Sequence, residues 1–162
     1  MQLNTVRVQI PEGANIVLGQ THFIKTIEDL YEILAGASPH IKFGVAFTEA
    51  SGPCLIRHEG NDPGLAQAAV SILHEIGAGH VFAVLLREGF PINVLNAIKL
   101  CPEVCRIYCA TANPLEVVVA ETEQGRGVMG VVDGSSPKGV EGDSDKAARK
   151  ALLRNFGYKV KP

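Results

Sequence analysis

The stretch "NDPGLAQAAVSILHEIGAGHVFAVLLRE", residues 61–88, constrains the fold of this chain more than any other. Asp62 is placed to cap a helix, and Pro63 suits the first helical position, where a missing N–H costs nothing. Leu65, Ala69, Ile72 and Ile76 then recur at helical spacing and form one buried stripe. The glycines of "GAG" end the helix, and an apolar run follows in which both strand faces are apolar. Such a strand has to be covered on both sides. A capped helix feeding a doubly covered strand demands a layered α/β arrangement.

The remaining sequence fits that demand. "TVRVQI" alternates as a strand does, and "NIVLGQTHF" gives a second strand or extended arm. "TIEDLYEILAG" sets Ile27, Leu30, Tyr31 and Leu34 on one helical face, with Thr26 as the expected N-cap and Gly36 near the end. "IKFGVAFTEA" and "PCLIRHEG" read as strands around a Ser-Gly-Pro turn, and "PINVLNAIKL" as a short helix begun by Pro91. "VCRIYCAT", "LEVVVAET" and "GVMGVVDG" complete the strands, some of them as hairpin-connected antiparallel edges. A Gly-, Ser- and acid-rich loop over 133–145 precedes a last helix, "SDKAARKALLRNFGY". The expected fold class is therefore α/β, a single layered domain over residues 1–162 with a mixed β-sheet flanked by helices.

Charge and hydropathy exclude several function classes. Fifteen basic against 17 acidic residues leave a net charge of −2, which offers no basic footprint for nucleic acid. "MQLNTVRVQIPEG" lacks the continuous apolar core of a signal peptide, and "VFAVLL" is far too short to cross a bilayer. A soluble, cytoplasmic protein without membrane partners is expected.

The four cysteines are Cys54, Cys101, Cys105 and Cys109, the last three spaced by four. Pro102 and the β-rich sequence after it argue against a helix that would align them. On a strand Cys105 and Cys109 share a face but lie about 13 Å apart, too far for one tetrahedral ion. No metal site is expected there, and reduced thiols filling core positions are.

"GRGVMG" matches the dinucleotide fingerprint G-x-G-x-x-G, yet "VVDG" follows where a helix must begin, so that reading fails on context. Gly125 and Gly127 still let backbone amides approach an anion, while Arg126 offers a planar fork of donors; a plain hairpin turn is the competing explanation. His74 faces solvent, about 180° around its helix from Leu65. His40 and His58 are expected on the surface. His22 and His80 stand at strand junctions, His22 three residues before Lys25, and His80 after Gly77 and Gly79, whose amides an anion could use. An imidazole beside anion donors suits nucleophilic or acid–base chemistry, although a hydrogen-bonded structural histidine explains either one alone.

Asn93 and Asn96 share a helical face with Lys99, and Asn113 lies in "CATANP". Asparagine can read an adenine edge bidentately, or simply cap and turn the chain. Glu49, Asp62, Glu121 and Asp133 each neighbour a strand end, where an acid can hold Mg²⁺ or accept a hydroxyl proton.

Taken together, "GQTHFIKT", "FTEASGP", "EGND", "GAGHVF", "GFPINVLNAIK", "CATANP", "ETEQGRGVMGVVDG" and "SPKGVE" closely resemble the adenosine-specific kinase family. The likeness runs from about residue 5 to 160. It implies one α/β domain, adenosine or AMP as ligand, a phosphohistidine in the chemistry, and a homo-oligomer, a trimer or hexamer. On that reading His80 or His22, alone or as a pair, accepts or relays the phosphoryl group. Lys25, Arg126 and the amides of Gly77, Gly79, Gly125 and Gly127 neutralise its charge. Asn93, Asn96 and Asn113 orient the nucleoside, and Glu49 or Asp133 acts on the ribose hydroxyl or a Mg²⁺ ion; no tightly bound organic cofactor is expected. No Walker A sequence is present, so a non-catalytic adenosine or AMP sensor stays open beside the kinase.

Overall fold

The computed structural model describes residues 1–161. In chain order the elements are β1 (Gln2–Val8), β2 (Asn15–Thr21), α1 (Thr26–Ala37), β3 (Lys42–Thr48), β4 (Ile56–Gly60) and α2 (Pro63–Ile76). After them come β5 (Val81–Arg87), α3 (Pro91–Leu100), β6 (Val104–Thr111), β7 (Leu115–Glu121), β8 (Arg126–Asp133) and α4 (Asp143–Asn155).

The strands form two sheets, β4-β3-β5-β2-β6 and β1-β7-β8. Every ladder is antiparallel; the parallel component is one isolated bridge, Ala78 to Arg126. β5 is central and buried on both faces, as its unbroken apolar run requires. Val81, Ala83 and Leu85 enter one core with the α2 stripe and with Val8, Leu115, Val117 and Val119 of the smaller sheet. Phe82, Val84 and Leu86 enter the other, against Leu30 and Leu34 of α1 and Val94 and Ile98 of α3. The larger sheet is thus covered by α1 and α3 on one face and by α2 with the smaller sheet on the other. The layered α/β expectation is met.

α2 begins as its sequence dictates: the Asp62 carboxylate accepts from the Leu65 N–H at 3.0 Å, and Gly77 closes the helix at φ 65°. α1 departs from expectation. Lys25 holds the cap position without a side-chain bond, and Thr26 lies inside the helix. The Thr26 hydroxyl bonds Phe23 O and the Thr21 hydroxyl instead. A bulge also breaks the simple alternation of β6, because Leu18 pairs with Cys109 while Gly19 pairs with Ile107. Ile107 and Cys109 therefore reach opposite cores. The expectation that all cysteines fill the core is corrected too: Cys101 and Cys109 are buried, whereas Cys54 and Cys105 are exposed. Among the described residues no helix is long and apolar enough to cross a membrane.

Candidate functional site

Antiparallel register brings three of the expected residues to one place. β2 pairs with β5 so that Gln20 faces Val81, which sets the end of β2 beside the start of β5. β3 pairs with β5 so that Phe47 faces Phe82, which sets the end of β3 at the same edge. His22, His80 and Glu49 are the residues just beyond those three strand ends. They line one cavity of about 200 Å³ together with Phe23, Phe47 and Ser51.

The backbone at this edge is fixed from both sides. His80 N–H donates to Thr48 O at 2.8 Å, and Thr21 N–H donates to His80 O at 3.0 Å. The Thr48 hydroxyl accepts from Val81 N–H and donates to Ala78 O. His80 sits at φ 58°, a left-handed conformation that side chains seldom adopt. Its half-buried ring stacks on Phe47, with centroids 5.9 Å apart and planes 20° apart. The exposed ring of His22 lies over Phe23 at 6.5 Å.

Glu49 and Ala50 also wall an adjoining depression of about 560 Å³, which Gly77, Gly79, Gly125, Arg126 and Gly127 complete. Eight residues chosen from sequence therefore surround two adjacent hollows. Their detailed states differ from a simple anion cradle. The Gly77 amide closes α2 by donating to Leu73 O. A Cβ on Gly79 would lie 2.9 Å from Ala50 Cβ, so glycine is required there by the close approach of two chain segments. Arg126 directs Nε and Nη2 to Glu121 Oε2, both at 3.1 Å, and Nη1 to Glu75 O at 3.3 Å. The glycine-rich stretch is less of a turn than its composition predicts: Gly125 closes the turn, and Arg126 already begins β8.

Glu49 is held at both oxygens. Leu55 N–H donates to Oε2 at 2.9 Å, and Arg57 donates Nε to Oε1 at 2.9 Å. The Leu55 amide and then the Arg57 guanidinium keep its carboxyl below the usual carboxylate range. Glu49 is a fixed negative wall rather than a ready proton acceptor. Lys25 is tied to Asp29 and to Glu103 Oε1, the latter at 3.2 Å, and these two bonds raise its ammonium above the ordinary lysine value.

The other candidates lie elsewhere. Asp133 ends β8, about 23 Å along the strand from Arg126, and its Oδ1 accepts from the Thr111 hydroxyl at 2.7 Å and from Asn113 Nδ2 at 3.1 Å. Asn113 borders a separate depression of about 670 Å³ with Arg7, Gln9 and Glu116. Asn93 accepts from Phe90 N–H at 2.8 Å and so caps its own helix, and Asn96 is exposed on α3. His40, His58 and His74 are exposed, as read from sequence.

Sequence reasoning missed Glu103. It is 5% exposed although charged, with Cys101 Sγ 2.9 Å from its Oε2. The Cys101 thiol and then Lys25 hold its carboxyl well below the usual range, while burial pushes the Cys101 thiol up to about 11. Asp29, Cys101 and Glu103 bring three potential metal-ligand atoms within 4.8 Å of one another. The Lys25 ammonium supplies positive charge to both carboxylates of that group. The sole sequence hint was an acid between two cysteines, and burial inside a turn leaves no periodic signal. Arg57, the partner of Glu49, gave no hint at all.

Residues 6–159 match the family model described as adenosine specific kinase. No curated protein matches the chain at a significant level. The crystal structure of the PH1918 protein from Pyrococcus horikoshii OT3 is similar, with 46% identity, a TM-score of 0.94, and 99% of each chain covered.

Proposed function

Because the chain belongs to the adenosine-specific kinase family, we propose that it binds adenosine or AMP and transfers a phosphoryl group through a histidine at the β2–β5–β3 edge. The observation that carries this reading is the convergence of His22, His80 and Glu49 on one cavity beside the hollow lined by Arg126. In the first step an imidazole nitrogen attacks phosphorus; the N–P bond forms as the donor's P–O bond breaks, and the leaving oxygen keeps the electron pair. In the second, a nucleoside hydroxyl oxygen displaces the imidazole at phosphorus. The second imidazole takes the hydroxyl proton, a role to which neutral histidine is suited and the low-lying Glu49 carboxylate is not. Arg126 faces the departing charge once Glu121 yields part of its fork.

Glu49 is bonded to Arg57 and Leu55, and Glu121 to Arg126, so a Mg²⁺ ion at these acids would have to share or displace those partners. Asn113, with Asp133 behind it, would serve a nucleoside only in the distant depression, and Asn93 and Asn96 face neither hollow. A homo-oligomer is supported by α4, none of whose residues is buried: Leu152 within it is 50% exposed and Phe156, which caps its end, 67%. Four free thiols suit a reducing, cytoplasmic setting.

The internal pairing of Lys25 and Arg126 favours the second reading, an adenosine or AMP sensor, because both cations already have partners. Calorimetric titration with adenosine, AMP, ADP and ATP, beside the intact mass of wild type, His22→Ala and His80→Ala, separates the two. Selective binding with a phosphate mass lost in one variant supports transfer. Binding with no phosphate on any protein supports the sensor, and no binding of any adenine compound removes both.

A further inference from the structure

We infer that Glu103 is a positioning residue that sets His22 relative to His80, an inference that rests on the histidine reading above. Glu103 holds the segment 21–25, which carries His22, at both ends. Its carbonyl accepts from the Thr21 hydroxyl at 2.9 Å and from His22 N–H at 3.2 Å. Its carboxylate accepts from Lys25 Nζ at 3.2 Å, three residues further on. Thr21 N–H in turn donates to His80 O. One buried residue thus links the backbone of one candidate histidine to that of the other.

The device depends on the charge being buried and answered. A carboxylate shielded from water is costly unless paired, so the Lys25 and Cys101 donors are held to it as firmly as it holds them. Among the described residues no buried side-chain nitrogen or oxygen lacks a partner, so the network has no slack. Glu103 precedes β6, and Cys101 caps the end of α3, so the clamp ties the end of β2 to the start of the neighbouring edge strand.

The test compares wild type with Glu103→Gln, which keeps the volume and both carbonyl contacts, and with Lys25→Met, which removes the cation from Oε1 and leaves only the Cys101 thiol on the carboxylate. Amide hydrogen exchange read by NMR follows the Thr21 and His22 N–H groups, with the Gly77 amide that closes α2 as an internal reference. Both variants are expected to exchange Thr21 and His22 about 10-fold faster and to leave Gly77 unmoved. Histidine phosphorylation is expected to slow about 10- to 100-fold in both variants, with the KM for the nucleoside nearly unchanged. Exchange and a rate equal to wild type in both variants would overturn the inference. If wild type binds no adenine compound, the functional reading fails, while the exchange of Thr21 and His22 still decides whether Glu103 holds that segment.

Discussion

The backbone N–H of Thr21 donates to the carbonyl of His80 at 3.0 Å, so the residue before one candidate imidazole is bonded to the residue bearing the other. The two histidines are 58 residues apart in sequence, yet their separation in space is set by one rung between adjacent strands. A change to either backbone is therefore felt by both.

The left-handed backbone at His80 gives the first expectation. Alanine at φ 58° carries a steric penalty that glycine does not, and both substitutions lose the same stacking on Phe47. His80→Gly should be more stable than His80→Ala by about 1 kcal/mol. Urea unfolding of the two variants measures the difference; equal midpoints would mean that the backbone relaxes out of this conformation.

Gly79 gives the second. The added methyl of Gly79→Ala meets Ala50 Cβ at 2.9 Å and has to displace the segment that walls both hollows. Overpacking of this kind costs about 1–3 kcal/mol. Adenosine affinity should fall with stability, and Ala50→Gly in the same background should restore much of both. Thermal melts and calorimetry of the single and double variants read the coupling.

Thiol reactivity separates the cysteines. Burial raises Cys101 and Cys109 to about 11, so both stay protonated as well as shielded at pH 8. A maleimide should add to Cys54 and Cys105 on the folded protein and to all four after unfolding, as counted by intact mass. Cys54 borders the larger hollow. Saturating nucleoside should slow its labelling and leave Cys105 unaffected.

Acid should loosen the clamp at Glu103. Its folded pKa lies below the unfolded value, so its stabilising contribution is complete above the ordinary glutamate range, near 4.5. That contribution is lost as pH falls through the lowered folded value. Glu103→Gln should accordingly flatten the fall in stability below pH 4.5, tracked by denaturant midpoints from pH 6 to 3.

The last helix provides the fifth. Since α4 buries none of its residues in its own chain and Phe156 just after it is 67% exposed, Leu152→Asp with Phe156→Asp should leave the fold intact. The mass in light scattering should drop from an oligomer to the monomer. An unchanged mass would place the subunit contact elsewhere.

Strands and helices were readable where one period governed a whole segment. The α2 stripe, its Asp62 and Pro63 start and the two-faced β5 all follow from local spacing. The Thr26 cap failed because a tertiary partner, the Thr21 hydroxyl, competed for the same oxygen. The β6 bulge was invisible because an extra residue changes parity without changing composition. At the site, His22, His80 and Glu49 stood out by lying at strand ends, and register then gathered them. Asp133 met the same criterion at the opposite end of its strand, since a sequence does not say which end faces which. Glu103 escaped notice because a buried charge in a turn looks like an exposed one until its lysine is found.

The Ala78–Arg126 bridge runs along the seam between the two sheets, and the larger hollow opens directly on that seam. A molecule lodged there would touch the residues just after β3 on one plate and the start of β8 on the other. It would act as a rivet, resisting the rocking of one plate against the other. Occupancy would then register as slower amide exchange along β8 and β7, well beyond the atoms the ligand contacts, and the small sheet becomes the part of the molecule that reports whether the hollow is filled.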